Sequence, residues 1–174
     1  TGSVTPALDP WPDSGLQHGV VGQQRLRERG ALRRAAEVMG LAPRSVEIEM
    51  GPSQYEFTFD ASDPMGQADR MVLFRTLVKE VCQRRGLHGS FMAKPKLPNA
   101  SANGWHIHQS LQALDGTNVF VPKADGVPTV EASAWIAGLL DNAAAACLMT
   151  TPTVNGYKRY QPMTMAPDRL YQYP

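Results

Sequence analysis

Cysteine is scarce in this 174-residue chain: only Cys82 and Cys147 occur, far apart and with no Cys-x-x-Cys spacing. Neither a zinc knot nor a disulfide framework is supported, and a reducing, cytoplasmic setting is expected. Neither sign of charge dominates, with 17 Lys and Arg against 16 Asp and Glu and a net charge of +1. That balance gives no electrostatic case for a nucleic-acid partner or an anionic membrane surface. No apolar run approaches the roughly 20 residues that span a bilayer; the nearest, around Ala143 to Met149, is short and Ala-rich. A phosphate loop ending in Gly-Lys-Ser/Thr is missing, as are Gly-x-Gly-x-x-Gly and Gly-x-Ser-x-Gly. Thr1 is not a natural initiator and no signal-peptide pattern follows it, so an upstream segment is expected.

What remains is enough for one domain with a core, since 43% of residues are hydrophobic. Residues 1–21 are rich in Gly, Pro, Ser and Asp and read as a loop-like N-terminal segment. A basic helix is expected over Gly22 to Met39, with Leu32, Ala35, Ala36 and Met39 at helical spacing, Gly30 as a weak point and Gly40 as the stop. The period then changes to two. Val46 to Met50 alternates apolar with acidic residues, and after Gly51-Pro52-Ser53 the residues Tyr55, Phe57 and Phe59 share one face against Gln54, Glu56 and Thr58. Ala68 to Arg85 is the clearest helix, with Met71, Phe74, Val78 and Val81 on one stripe. Short strands are expected at Ser90 to Ala93, Gly104 to Leu111 and Thr117 to Val121, the last two joined through an Asp115-Gly116 turn. Thr129 can cap a helix over Val130 to Met149, halted before Pro152. This order predicts an α+β fold, an antiparallel sheet with helices on one face.

Three groups of residues could carry chemistry. In a strand, His106 and His108 project from one face; that spacing suits a metal or a metal-bound phosphate, and suits equally two polar imidazoles on a half-exposed strand. Small metal-binding barrels with a His-x-His pair want a Glu a few residues later, and 112–115 offers none. Glu49 and Glu56 flank the Gly-Pro turn, and hard carboxylate oxygens match Mg²⁺ or Mn²⁺ if the two strands share a face. Acidic residues on a solvated strand are also common, and Glu47 shares the face of Glu49, so alternation does not decide between them. Arg159, in a loop-like Tyr-Lys-Arg-Tyr string, could hold a carboxylate through two parallel N–H bonds or simply face solvent.

The strings Glu49-Met-Gly-Pro-Ser-Gln-Tyr-Glu56-Phe57, Ala68-Asp69, Phe91-Met-Ala-Lys-Pro95, Asn103-Gly-Trp-His-Ile-His-Gln-Ser-Leu111 and Asn155-Gly-Tyr-Lys-Arg159 with Ala166-Pro167 occur in this order. Together they resemble the glutamine synthetase family. The resemblance implies a curved antiparallel sheet backed by helices, with residues 22–174 forming part of a catalytic domain. It implies Glu49 and Glu56 as ligands of a metal on the amino-acid side and His106 as ligand of a metal at the nucleotide phosphates. It further implies His108 and Ser110 at the ATP phosphates and nucleotide, and Gly104 and Arg159 at a glutamate-like acid. The reaction implied is phosphoryl transfer from ATP to a side-chain carboxylate, giving an acyl phosphate that ammonia or a primary amine attacks, with Mg²⁺ or Mn²⁺ neutralising charge.

Two positions depart from the family pattern. Where ammonia-using members carry a flap Glu before the Ala-Pro pair, this chain has Met165, which can neither accept a proton nor pair with ammonium. Where an Asn-Gly pair would hold the amino group of glutamate, Ser101 and Ala102 stand. An organic amine therefore competes with ammonia as nucleophile. A degenerate member that binds nucleotide or amino acid without turnover is the alternative. The family's upstream Glu-x-Glu strand and its downstream Arg-rich segment have no match, so part of an active site is expected, one shared in the family between subunits of a homo-oligomeric ring.

Overall fold

Period-two patterning over 45–59 yields an antiparallel hairpin, and the helical stripes on either side of it supply the surface it packs on. The computed structural model describes residues 2–4, 7–9, 18–97, 99–122 and 126–161, with side chains from Arg27 onward. The chain divides into two units, Thr1–Ile107 and His108–Pro174.

The first unit runs β1 (Gly2–Val4), β2 (Ala7–Asp9), α1 (His18–Val38), β3 (Ser45–Ile48), β4 (Tyr55–Thr58), α2 (Pro64–Arg84), β5 (His88–Ser90) and β6 (Trp105–Ile107). Four strands form an antiparallel sheet in the order β3-β4-β1-β6, and β2 pairs with β5 in a separate antiparallel ribbon. The core is one cluster. Tyr55, Phe57 and Phe59 of the hairpin meet Met71, Phe74, Leu77, Val78 and Cys82 of α2 and Leu32 and Ala36 of α1, with Leu41 closing it. Phe74 is its centre, its ring 4.9 Å from Phe57 and 5.1 Å from Phe59 at steep interplanar angles, the tilted geometry aromatic pairs prefer. The class is α+β, and the apolar side of the sheet is the side the helices cover.

Several expectations shift here. The span 1–21 is not all loop, because β1 sits between β4 and β6 and β2 pairs with β5. Neither three-residue strand has a pattern of its own; each is specified by ladder partners far along the chain. Helix α1 begins at His18 and passes through Gly30 unbroken, while Met39, expected on its buried stripe, is half exposed. Helix α2 starts four residues before the expected Ala68, because Asp63 caps it by accepting from Gly66 N at 2.8 Å and Pro64 fits the first turn. The strand expected at 90–93 is β5, two residues earlier.

The second unit contains α3 (Val130–Asp141), α4 (Ala143–Thr150) and α5 (Val154–Tyr157). Thr129 caps α3 as expected, accepting from Ala132 N at 3.1 Å. The single helix expected over 130–149 is instead broken at Asn142, with a 73° bend between α3 and α4. Asn142 ends α3 through its own side chain, whose Nδ2 donates to Gly138 O at 2.8 Å, the local competition that Asn offers a helix. No single helix among the described residues is long and apolar enough to cross a membrane. The Asp115-Gly116 turn forms, with Gly116 at φ +86°, but only an isolated Gln112–Asn118 bridge follows in place of the expected strand at 117–121.

Candidate functional site

The hairpin fixes which side chains share a face. In the β3–β4 register Glu47 lies directly opposite Glu56 and Ser45 opposite Thr58. One step on, Glu49 N donates to Gln54 O at 3.0 Å, continuing the same register. Alternation then carries Ser45, Glu47, Glu49, Gln54, Glu56 and Thr58 to the side away from the helices. Tyr55 and Phe57 bury the other side.

Three carboxylates therefore stand on adjacent positions of one sheet face, and Glu49 and Glu56 are half-buried. Like charges directly opposite one another across strands are destabilising. Among the described residues no Lys or Arg pairs with any of the three. Glu47 accepts from Ser45 Oγ at 2.9 Å, and Ser45 Oγ lies 2.5 Å from Thr58 Oγ1. Glu49 accepts from Met50 N at 3.2 Å.

His106 joins this face through β1. Ser3 pairs with Thr58 on one side and with His106 on the other, so His106 sits on the Thr58 rung two strands over. Two strand spacings and one two-residue step put its Cα roughly 12 Å from that of Glu56. That separation suits two neighbouring ions better than one shared ion. No three His, Cys, Asp or Glu side chains among the described residues stand close enough together to hold a metal. The donor chemistry fits two such divalent cations, one on the carboxylate oxygens of Glu49 and Glu56 and one on the imidazole nitrogen of His106, each with its coordination completed from outside these three side chains. The strand β6 ends at Ile107, so the alternation expected to set His108 beside His106 does not continue through His108.

Sequence reasoning assigned no role to Gln54 or Asn103, both almost fully buried on this polar side. Gln54 Oε1 accepts from Gly51 N at 2.9 Å, while its Nε2 donates to Ala102 O at 2.9 Å and to Asn103 Oδ1 at 2.8 Å. Asn103 Nδ2 in turn donates to Met92 O at 2.7 Å. The signal was available: an amide on the polar face, between two Glu and beside a Gly-Pro turn. Gly104, half-buried, follows this network directly.

In the second unit His108 and Ser110 are exposed, and Gln109 between them accepts from Trp135 Nε1 of α3 at 2.9 Å. Arg159 is half-buried in the turn after α5, its N–H donating to Gly156 O at 3.1 Å. That turn is tightly built. Thr153 caps α5, Thr151 Oγ1 lies 3.0 Å from Tyr160 OH, and a Cβ on Gly156 would come within 2.7 Å of Thr151 Cγ2. Met165, Ala166 and Pro167 lie outside the described residues.

With this geometry in view, the catalytic-domain family of glutamine synthetase matches residues 21–171. The chain belongs to this family. It is 45% identical over 133 residues to the gamma-glutamylanilide synthase of an Acinetobacter species, covering 75% of this chain and 27% of that protein. It is 38% identical over 157 residues to the glutamine synthetase of Thermococcus kodakarensis, covering 90% of this chain and 34% of that protein. The chain thus spans about a third or less of the length of these relatives. Among solved structures, a glutamine synthase homologue superposes with a TM-score of 0.79 at 30% identity, over 94% of this chain and 39% of that one. An ADP complex of GmaS gives 0.77 at 26% identity, over 96% and 40%.

Proposed function

We propose that the protein is an ATP-dependent ligase that joins a primary amine or ammonia to the side-chain carboxylate of glutamate through an acyl phosphate. The observation that carries this reading is the polar sheet face, where Glu47 and Glu56 oppose each other with Glu49 alongside and no cationic side chain among the described residues offsets them. A cation is the simplest compensation for such a face. Glu49 and Glu56 would hold one Mg²⁺ or Mn²⁺ and His106 a second. When bound, these ions neutralise charge on the transferring phosphoryl group.

Family membership supports the remaining assignments of this reading. His108 contacts the nucleotide phosphates and Ser110 the nucleotide, roles in keeping with the ADP bound in the GmaS relative. Arg159 clamps the carboxylate of the acid, its fork suited to two parallel hydrogen bonds, and Gly104 leaves room for that acid's backbone. Residues 22–174 form part of a catalytic domain whose sheet curves around the reactants, and the active enzyme is a cytoplasmic homo-oligomeric ring. Met165 in place of a flap carboxylate removes the group that would take a proton from ammonium. Together with a relative named gamma-glutamylanilide synthase, this favours an organic amine.

The test is phosphate release by the full-length protein supplied with ATP, Mg²⁺, glutamate and a panel of amines that includes ammonium, alkylamines and aniline. Release that depends on an amine is expected, with an organic amine exceeding ammonium. Binding of nucleotide with no release for any nucleophile would leave the non-catalytic reading in its place.

A further inference from the structure

We propose that Gln54 and Asn103 form a crosspiece that sets the spacing between the two halves of the polar face, which makes Gln54 a positioning residue for the ions; the inference rests on the ligase reading above. The carboxylates ride on β3 and β4, whereas His106 rides on β6, and β1 separates β4 from β6. Among the described residues, backbone ladders therefore link the two halves only through a three-residue strand. A second link is needed to fix a distance to the tolerance that a metal site requires.

The Gln54 amide provides it. Residues Gln54 and Asn103 are only 3% and 5% exposed, so their bonds form away from competing water. Gln54 stands opposite Glu49 and two residues before Glu56; Asn103 stands three residues before His106. Both Nε2 hydrogens are used, on Ala102 O and Asn103 Oδ1, and Oε1 is used on Gly51 N. Asn103 is held independently, through Nδ2 to Met92 O and through its N–H to Ala93 O at 2.9 Å. Only an amide meets this set, because two acceptors and one donor converge on it. The turn is cut to fit as well: a Cβ on Gly51 would sit 2.6 Å from Gln54 Oε1 and 3.1 Å from Ser101 N. Groups that orient metal ligands in this indirect way typically cost ten- to hundredfold in metal affinity when removed.

Mn²⁺ titration of the full-length protein, read by the free-ion electron paramagnetic resonance signal, tests this with Gln54→Met and Asn103→Ala. Gln54→Met keeps the side-chain length and removes every bond. Asn103→Ala leaves the Gly51 bond and the hairpin turn in place while cutting the crosspiece. Both variants are expected to bind Mn²⁺ at least about tenfold more weakly, with helix content by circular dichroism unchanged. Wild-type affinity in Asn103→Ala would overturn the crosspiece and reduce Gln54 to a turn-closing residue. Should Gln54→Met fail to fold, Asn103→Ala decides alone by the same two outcomes. A wild-type protein that binds no Mn²⁺ would overturn the metal reading of the face, a result distinct from wild-type binding that both variants share.

Discussion

His106 is exposed on an edge strand, with Trp105 and Ile107 beside it also largely exposed, so it does little for the core. Replacing it with Ala should change stability by no more than about 0.5 kcal/mol. The same change should weaken Mn²⁺ binding and ATP-dependent chemistry in the full-length protein. An unfolded variant with its metal affinity intact would mark His106 as structural. Cys82 behaves in the opposite way. Burial in the core raises its thiol from 9.0 to about 11, Glu28 adds to the shift and Arg85 opposes it. The fold thus favours the protonated thiol, and this contribution to stability is complete below pH 9 and lost as pH rises towards 11. Alkylation at pH 8.5 should therefore be much slower at Cys82 in the native protein than after denaturation, as peptide mass mapping would register. Equal rates in both states would contradict that burial.

At the scale of elements, the β4 hairpin strand and α2 share Phe74, which meets Phe57, Phe59 and, at 6.4 Å, Phe91. Phe74→Ala should cost about 3–5 kcal/mol by chemical denaturation, against about 1 kcal/mol for losing the α2 cap in Asp63→Ala. A reversed order would show that the hairpin is not held from behind by this cluster. The carboxylate face depends on that support, so these residues shape the site without touching it. Much of this was legible beforehand. Strict alternation at 54–59 and the stripe on α2 each state one buried face, and both faces are found in the core. What escaped was set by distant partners or by side-chain chemistry. Neither β1 nor β2 carries a pattern, Asn142 breaks a helix whose apolar stripe runs on past it, and the Gln54–Asn103 pair joins residues 49 positions apart.

For the whole molecule, the proposed ligase chemistry would need the polar face and further residues besides it. The chain spans about a third or less of its curated relatives, and its described residues bring no three metal-ligating side chains together. The 174 residues alone should therefore release no phosphate above background in the amine-dependent assay; turnover at the rate of the full-length protein would contradict this. The sequence read the family through ordered motifs, because motif spacing survives where pairing cannot be seen. Alternation alone could not choose between Glu47 and Glu49; the family resemblance pointed to Glu49. Register brings Glu47 opposite Glu56, yet Glu47 is exposed and bonded to Ser45, whereas Glu49 is half-buried opposite Gln54. The most direct measurement is a crystal structure of the full-length protein grown with Mn²⁺, with anomalous data collected at the manganese edge. One peak against the carboxylates of Glu49 and Glu56 and a second at the imidazole of His106 are expected. Manganese bound elsewhere, with this face bare, would contradict the account.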